Sequence, residues 1–387
     1  MKILQLCTFN VIGSAGGAEK VFCNIANRLS NCHEVINVYA DDNEGTPFYN
    51  FNNKEKLYNL LKSRVKYPIY IKIKSEILKL LSKIGLWNQL LPRNIYKNAV
   101  IASRFCIIVK ENSPDIIICY RCGDLDIIEK SGFDLQRVIV MFHGFPNLEG
   151  YTDNSRRLMK KVGLIQVLMP SYKRVLEDLG YKNLVVLGNV IETTECNICA
   201  FSAREKSIVC VARLDKFEKR QHLLIEAFAK IAHKYPEWNL YLYGGNSVPR
   251  NYKFELKKII NKYDLDDRVL LMGITNDAIN SIRKSSVFVL PSPSEGFSLA
   301  LGEAMSLGIP CIGFKSAASI NELIIDGFNG YLSDDGADNL SSTLEHIIID
   351  DEARQNMGNN AISVAKNYYP DIIYGYWENV INNMYNQ

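Results

Sequence analysis

The segment from residue 287 to 314 constrains the fold most strongly, because it reads as a strand, a tight loop, a helix and a second strand. The run Val287–Leu290 is short, apolar and β-branched, which is typical of a buried strand. Pro291 ends this run, a helical pattern starts at about Ser298, and Gly308 ends the helix before the next apolar run. Strands joined through a helix pair in parallel, so the segment predicts a parallel sheet.

The same alternation continues along the whole chain of 387 residues, which is long enough for two domains with full cores. We therefore expect an α/β protein with two doubly wound, Rossmann-like domains facing a central cleft. The predicted domains are 1–191 and 207–367, joined by a polar, aperiodic linker at 192–206, with an aromatic-rich helix at 368–387. The strands expected in the first domain are 2–7, 34–39, 114–119, 138–142, 165–169 and 185–187; those after the linker begin at 207, 240, 269 and 287.

Composition argues for a soluble protein in a reducing compartment. Hydrophobic residues make up 47% and charged residues 22%, and no apolar run reaches the roughly 20 residues of a membrane span. The first ten residues read as a strand instead of a signal peptide, so we expect a cytoplasmic protein. The ten cysteines are scattered. Their two C-x-x-C pairs, at 119/122 and 196/199, lie too far apart for common zinc modules, and reduced thiols are expected.

Two carboxylates bracket the start of the helix near residue 298. Glu295 lies in the preceding loop, Glu303 lies eight positions further on, and the free N–H groups of Phe297, Ser298 and Leu299 point out of the helix N-terminus. Such a terminus binds anions through its unpaired donors and its dipole. A nucleotide sugar, with a diphosphate between ribose and sugar hydroxyls, could meet one glutamate on each side. The alternative is that both glutamates are ordinary solvated residues.

The pattern E-x7-E followed by A-M-x-x-G-x-P resembles the donor site of the retaining glycosyltransferases of family 4, which have the GT-B fold. The resemblance implies that Glu295 contacts the transferred sugar and that Glu303 binds the ribose. It also implies that the amides from Gly296 to Leu299 hold the diphosphate. In GT-B proteins the last helix crosses back onto the first domain, as the helix at 368–387 would.

A charged loop follows the strand that starts at Ser207. Arg213 offers a planar fork and Lys219 a point charge to phosphate oxygens. The alternative is a solvated loop whose charges pair loosely. The pattern R-L-x4-K ahead of L-L-I-x-A-F resembles the family's diphosphate motif, which implies that both residues stabilise the departing nucleotide. Arg220 departs from the family, which usually has glycine there, and this leaves the shape of the turn open.

Glycines and one histidine stand at the ends of other predicted strands. Gly16 and Gly17 precede the first helix, and Gly244 and Gly273 end two later strands, where a nucleotide could approach the backbone closely. All four read equally well as plain turns. The first pair resembles the G-G-A-E loop of many family 4 enzymes, which faces the donor phosphates and the acceptor. His143 ends another strand, where a histidine of the family contacts the transferred sugar; a structural histidine is the alternative.

Residues 54–91 form a basic amphipathic insert. Between residues 54 and 83, nine lysine and arginine residues oppose two glutamates, a net +7 in a chain whose overall charge is +3. Such segments lie on anionic membrane surfaces, although an ordinary helical pair with a solvated lysine face is also consistent with the pattern. No nucleic-acid motif accompanies the charge. The resemblance implies a lipid-linked acceptor here and peripheral association with the inner face of the cell membrane.

Together these features predict a retaining glycosyltransferase that moves a sugar from a nucleotide sugar, with UDP favoured by family prevalence, to a glycan or lipid-linked acceptor of surface polysaccharide synthesis. We expect no metal, because the D-x-D pairs Asp124/Asp126 and Asp264/Asp266 read as solvated caps. Two rivals stay open. One is a sugar-nucleotide epimerase on the same fold, and the other is a non-catalytic scaffold for a working transferase.

Overall fold

The computed structural model describes residues 1–14, 16–62, 65–84, 86, 90–192, 198–275 and 277–386. Parts of the predicted linker (193–197) and of the insert (63–64, 85 and 87–89) lie outside these residues. The chain forms two compact units. The first comprises Met1–Val167, Tyr172–Val186 and Glu378–Gln387, and the second comprises Leu168–Ser171 and Leu187–Trp377.

The first unit contains a seven-stranded parallel sheet. Its strands are β1 Lys2–Cys7, β2 Glu34–Tyr39, β3 Leu57–Asn59, β4 Ile116–Cys119, β5 Val138–Met141, β6 Leu164–Val167 and β7 Leu184–Val186, in the order β3-β2-β1-β4-β5-β6-β7. The helices of this part of the chain are α1 Gly17–Leu29, α2 Ile69–Lys83, α3 Pro92–Asn112, α4 Leu125–Ser131, α5 Asp153–Met159 and α6 Pro170–Asp178. The central strands β1, β4 and β5 are almost entirely buried, as expected of apolar strands covered by helices on both faces.

The second unit contains a six-stranded parallel sheet and a small parallel pair. The strands of the large sheet are β8 Glu205–Val211, β10 Asn239–Tyr243, β12 Val269–Gly273, β13 Ser285–Leu290, β14 Cys311–Phe314 and β15 Gly330–Ser333, in the order β12-β10-β8-β13-β14-β15. The pair joins β9 Leu214–Asp215 to β11 Asn246–Val248. The core of this unit is packed with fully buried large side chains, among them Phe228, Tyr252, Phe288 and Phe314.

Helices α7 Gln221–Ile231, α8 Tyr252–Lys262, α9 Ala278–Ile282, α10 Leu299–Ser306, α11 Ile320–Leu323, α12 Ala337–Ile349 and α13 Asp351–Ala365 follow the strands of this sheet. The last helix, α14 Pro370–Tyr385, is shared, because its residues group with the second unit as far as Trp377 and with the first unit from Glu378. Two doubly wound parallel sheets are therefore observed, which confirms the predicted fold class.

Two details differ from the sequence predictions. The strand β3 lies inside the segment that was predicted as a basic amphipathic insert, and it forms the edge of the first sheet. The prediction that Asp124 is a solvated cap is wrong: Asp124 is only 5% exposed, and both of its carboxylate oxygens accept hydrogen bonds from the Thr8 hydroxyl, at 2.6 and 2.8 Å. Asp264 and Asp266 are exposed, as expected.

Candidate functional site

The candidate site of the second unit lies where two loops leave neighbouring strands. Strands β8 and β13 are adjacent in the parallel sheet, so the loop after each strand emerges at the same edge. The loop after β8 contains Arg213 and Lys219, and the loop after β13 contains Glu295. The topology thus brings together charged residues that are distant in sequence.

The loop after β8 is held in shape by a buried carboxylate. Asp215 accepts hydrogen bonds from the backbone N–H groups of Phe217 and Glu218, both at 2.9 Å. Its own carbonyl oxygen accepts from the N–H groups of Lys219 and Arg220, at 3.1 and 2.8 Å. One buried side chain with its backbone therefore organises the whole turn that presents Lys219.

A second buried polar residue closes this loop. Gln221 is fully buried; its amide nitrogen donates to the carbonyl of Arg213 at 2.8 Å, and its amide oxygen accepts from the N–H of Asp215 at 3.2 Å. Sequence reasoning did not identify Asp215 or Gln221 as part of the site. The sequence signal that could have identified them is their spacing. Asp215 and Gln221 are two polar residues six positions apart, and they flank a charged turn that lies between two apolar segments.

Lys219 and Glu295 form an ion pair between the two loops. The Lys219 ammonium donates to Oε1 of Glu295, and the two side chains are only 18% and 9% exposed. The alternative interpretation, in which the charges of a solvated loop pair only loosely, is therefore wrong for Lys219. Arg213 differs, because its guanidinium is half-exposed and pairs with Glu218 and with Asp215.

Helix α10 begins at Leu299, four residues after Glu295. Ser298 caps this helix, and its hydroxyl oxygen accepts a hydrogen bond from the N–H of Leu301 at 3.3 Å. The N–H groups at the start of the helix have no acceptor within the helix, so they can donate to a bound anion. Glu303 lies one turn further in and is 4% exposed, so it is not the solvated glutamate of the alternative interpretation.

Phe297 anchors the turn between Glu295 and α10. Its side chain is buried, and its ring meets that of Tyr368 edge-on with centroids 5.0 Å apart. Gly188 lies against both rings, since a Cβ there would come within 2.6 Å of Tyr368 and 3.2 Å of Phe297. This packing fixes the backbone of Gly296 and Phe297, whose amides the resemblance assigns to the diphosphate.

Two predicted glycines meet at the ends of β10 and β12. The N–H of Gly244 donates to the carbonyl of Gly273 at 2.7 Å. Gly244 has φ +153°, and a Cβ there would lie 2.0 Å from the carbonyl oxygen of Ala212, so the position accepts glycine only. The loop after β8 is therefore packed against a glycine turn.

The remaining predicted residues lie in the first unit. Gly16 immediately precedes α1, and Gly17 is its first residue. The carboxylate of Glu19 lies close to Gly16 at the N-terminus of this helix and accepts a hydrogen bond from the Ser14 hydroxyl at 2.5 Å. The loop residue Ala15 lies outside the described residues.

His143 follows β5 in the first unit. Its ring stacks on Tyr120, with centroids 5.3 Å apart. Its Nε2 is buried, and the described residues offer this nitrogen no hydrogen-bond partner. Burial lowers the pKa of His143 to about 4, so the imidazole is neutral near pH 7. A neutral ring with an unused nitrogen can exchange a hydrogen bond with a hydroxyl group.

Among the described residues there is no candidate metal site, that is, no group of three or more histidine, cysteine, aspartate or glutamate side chains that could hold an ion. The described cysteines carry free thiols, and burial raises the pKa of Cys122 to about 12. Within the described part of the chain, no helix is both long and apolar enough to cross a bilayer.

Two doubly wound parallel sheets are the architecture of the GT-B fold that the sequence resemblance implies. Comparison with known families agrees. Residues 196–364 match the family described as Glycosyl transferases group 1, and together with the relatives below this match shows that the chain is a glycosyltransferase.

Relatives that align over nearly the whole chain are also glycosyltransferases. An uncharacterized glycosyltransferase of Haemophilus influenzae is 23% identical, and the alignment covers 96% of this chain and 97% of the relative. The amylovoran biosynthesis glycosyltransferase AmsD of Erwinia amylovora is 24% identical with the same coverage.

Solved structures share the fold at low identity. Anabaena HepE in complex with UDP-glucose superposes with a TM-score of 0.72 at 19% identity, covering 99% of this chain and all of HepE. The sucrose-phosphate synthase of Thermosynechococcus elongatus gives a TM-score of 0.74 at 16% identity, covering 100% and 99% of the two chains.

Proposed function

We propose that this glycosyltransferase is a retaining enzyme that moves a sugar from a UDP-sugar to a hydroxyl group of a glycan or lipid-linked oligosaccharide. The observation that carries the proposal is the Lys219–Glu295 ion pair, which lies beside the N-terminus of α10 within the matched segment. This arrangement combines a cation, helix N–H donors and a carboxylate in one place. These are the groups that a sugar diphosphate needs.

Each group has a role in the proposed reaction. Lys219, Arg213 and the amides from Gly296 to Leu299 stabilise the negative charge that develops on the departing diphosphate. Because Asp215 and Gln221 hold the loop in advance, little reorganisation is needed when this charge appears. Glu303 binds the ribose hydroxyls.

Glu295 contacts the transferred sugar. Retention follows when the acceptor oxygen attacks the face from which the diphosphate leaves and passes its proton to that leaving group. A double displacement is the alternative, and it requires a carboxylate at the opposite face of the sugar. Trapping a glycosyl adduct on Glu295 would overturn the front-face mechanism. His143 supplies its neutral Nε2 to a hydroxyl group of the bound sugar.

The names of relatives support the substrate classes. HepE was solved with UDP-glucose, and AmsD is named for amylovoran biosynthesis. A Campylobacter jejuni relative, 30% identical over 52% of this chain and 55% of its own length, is named as an N-acetylgalactosaminyltransferase acting on a diphospho-undecaprenol substrate. From these names we propose a UDP-sugar donor and a role in polysaccharide synthesis for this chain.

Helix α2 supports a membrane-bound acceptor. Its residues Ile69, Ile73, Ile77 and Leu80 are each between 53% and 71% exposed. At 3.6 residues per turn they lie within an arc of about 80°. Ser75, the buried residue of α2, lies on the opposite side, where its hydroxyl accepts from the N–H of Arg93 at the start of α3, 3.0 Å away. The apolar stripe therefore faces away from the protein.

Lysines flank this stripe on both sides. Lys72, Lys79 and Lys83 lie along one edge and Lys74 along the other, and all four are exposed. A stripe of large apolar side chains between lysines is suited to the interface of an anionic bilayer. We therefore place α2 on the inner face of the cell membrane, where a lipid-linked acceptor would be presented.

Nucleotide binding tests the donor site. We would record thermal unfolding with UDP, GDP and their common sugar conjugates, for wild type, Lys219→Ala and Glu303→Ala. A ligand at a hundredfold excess over its dissociation constant stabilises the native state by about 2.7 kcal/mol. Lys216→Ala is the matched control, because Lys216 lies in the same loop but is paired with Glu255 at 2.8 Å.

We expect a shift with UDP or its conjugates that is lost in Lys219→Ala and Glu303→Ala and kept in Lys216→Ala. The absence of a shift with every nucleotide would contradict the proposal and favour a scaffold. Conversion of the sugar nucleotide without any acceptor would favour an epimerase instead.

A further inference from the structure

The first unit contains a cavity of about 520 Å³ that none of the predicted site residues line. This volume is within the range of about 300–1,000 Å³ that is typical of small-molecule sites. The cavity lies under the segment 42–51, beyond the carboxyl ends of β2 and β3, and is called the loop cavity below. Its lining includes Tyr39, Asn43, Tyr49, Phe51, Asn59 and Lys62.

A buried carboxylate builds the frame of the loop cavity. Asp41 is 1% exposed, and its Oδ2 accepts from the N–H groups of Val11 and Ile12, both at 2.8 Å. Its Oδ1 accepts from the N–H of Asn43 at 2.8 Å, and its carbonyl accepts from the amide of Asn59 at 2.9 Å. The loops after β1, β2 and β3 are thus tied to one another.

The far end of the segment is tied to α1. The carbonyl of Asn50 accepts from the side-chain amide of Asn27 at 2.8 Å and from the thiol of Cys23 at 3.0 Å. The N–H of Asn52 donates to the oxygen of the same Asn27 amide at 2.8 Å. Both ends of the segment are therefore fixed, and the loop cavity is formed before any ligand binds.

The lining combines aromatic faces with amides and balanced charge. Tyr39, Tyr49 and Phe51 supply aromatic surface, and the amides of Asn43 and Asn50 supply paired donors and acceptors. The amide of Asn59 is already bonded to backbone groups of Asp41 and Leu61. The charged lining residues are two acids, Asp42 and Glu44, and two bases, Lys54 and Lys62. A phosphate group would prefer a basic lining, whereas a neutral sugar offers an apolar C–H face to aromatic rings and hydroxyl groups to amides.

The position of the loop cavity fits an acceptor more closely than a donor. It lies at the carboxyl edge of a parallel sheet, where such folds bind ligands. Its lining ends at Lys62, seven residues before α2 begins at Ile69. Asp42 is also ion-paired to Lys97 of α3, the helix that packs on α2 through Arg93.

We propose that the loop cavity binds a sugar unit of the acceptor glycan, through the ring of Tyr49 and the amide of Asn43. This proposal rests on the proposed glycosyl transfer, in which the membrane-bound acceptor reaches the first unit. The acceptor is held by its neutral glycan part here, while α2 contacts the lipid surface.

Binding of simple glycosides tests the proposal. The probes are the methyl glycosides of glucose, galactose, N-acetylglucosamine and N-acetylgalactosamine, measured by saturation-transfer NMR on the full chain. The variants are Tyr49→Ala and Asn43→Ala. Asn52→Ala is the matched control, because Asn52 is exposed in the same part of the chain and does not line the loop cavity. Thermal shift with UDP is recorded for every variant.

We expect at least one glycoside to bind wild type and the control, and to bind Tyr49→Ala and Asn43→Ala about tenfold more weakly. UDP should shift all four proteins equally, which also shows that they are folded. Glycoside binding that is unchanged in both lining variants, or absent while UDP binds, overturns the loop-cavity proposal alone. If UDP does not bind but a glycoside does, and the lining variants weaken that glycoside binding, the UDP donor is refuted. The loop cavity then remains a sugar site.

Discussion

Lys219 and Glu295 lie 76 residues apart in the chain, yet they form an ion pair that is largely shielded from water. The reason is topological, because β8 and β13 are neighbours in the sheet and the loop after each strand emerges at the same edge. The pair joins the loop that Asp215 organises to the turn that begins α10. In the proposed reaction, Lys219 would exchange part of its interaction with Glu295 for the phosphate oxygens of the donor.

Removing Lys219 should affect both stability and nucleotide binding, and a double variant separates the two effects. Lys219→Met deprives the shielded Glu295 of this counter-charge, so we expect a loss of about 1–3 kcal/mol in the free energy of unfolding. Adding Glu295→Gln should recover most of this loss without restoring the thermal shift with UDP. Urea unfolding and the nucleotide shift measure the two properties. Recovery of UDP binding in the double variant would contradict the role of Lys219 at the diphosphate.

Strand periodicity and glycine positions were sufficient to predict most strands of the two sheets. The six residues of β2 were predicted with both ends correct, because an apolar run between polar turns has few alternative interpretations. The edge strand β3 was missed because its three residues, only partly buried, carry little periodicity. Its pairing is set by contact with β2 and not by its own sequence pattern.

The limits were similar at the candidate site. The motif residues Glu295 and Lys219 could be selected by type, spacing and resemblance to the family 4 motifs. Asp215 and Gln221 could not, since their importance lies in hydrogen bonds to backbone groups that only the folded loop brings close. Asp124 was misjudged for a related reason. Its carboxylate is buried and accepts a hydrogen bond from Thr8, which follows a different strand of the same sheet.

Arg220 shows why the family usually has glycine at this position. Its backbone has φ +47°, in the left-handed region, at the start of α7. A side chain there costs about 1–2 kcal/mol. The ion pair of Arg220 with Asp335 at 3.1 Å is partly exposed and returns little of this cost.

We therefore expect Arg220→Gly to unfold at the same or a higher temperature than wild type, whereas Arg220→Ala should be less stable than the glycine variant. Calorimetry provides the comparison. A glycine variant less stable than the alanine variant would show that the backbone of this turn is not strained.

Because of Asp124, the free energy of unfolding should decrease as pH rises from about 4 to above 6. Burial raises the pKa of Asp124 to about 6 from its usual 3.8, although the Thr8 hydroxyl and Arg121 favour the charged form. Because the folded state binds the proton more tightly than the unfolded state, ionisation above pH 6 costs stability, and the cost disappears as pH falls through 6 towards 4.

Asp124→Asn removes this cost. We expect the variant to be more stable than wild type by about 1–3 kcal/mol at pH 7.5, with a difference that shrinks towards zero near pH 4. Urea unfolding of both proteins at several pH values measures it. The contribution of His143, whose pKa is lowered to about 4 by burial, applies to both proteins and largely cancels in the difference. A wild type that is the more stable protein at pH 7.5 would contradict the argument.

Metal independence is a prediction about the reaction itself. Lysine, arginine and helix N–H groups supply the positive charge that a divalent cation supplies in other transferases. We expect the rate of sugar transfer from the UDP-sugar to be the same with and without EDTA. Adding Mg²⁺ or Mn²⁺ afterwards should not change the rate either. Loss of activity with EDTA that Mg²⁺ or Mn²⁺ recovers would show that the lysine-based site is incomplete on its own.

The apolar stripe of α2 gives the sharpest test of membrane contact. Ile77→Asp and Leu80→Asp place charge in the middle of a surface that we propose to lie in the bilayer interface, and both side chains already face solvent, so folding should be little affected. We expect each change to reduce sedimentation with vesicles that contain phosphatidylglycerol. Ile349→Asp is the matched control, since Ile349 is equally exposed but lies on α12 in the second unit.

Charge should matter alongside the apolar stripe. Each lysine near an anionic surface contributes about 1 kcal/mol, so Lys79→Glu should weaken binding, and raising the ionic strength should weaken it in wild type. Vesicles of phosphatidylcholine alone should bind poorly. Equal binding to both lipids, or binding that survives Ile77→Asp and Leu80→Asp together, would mean that the stripe meets something other than the membrane. The thermal shift with UDP should stay unchanged in all of these variants, because Arg213, Lys219 and Glu303, which we propose to bind the nucleotide, lie in the second unit.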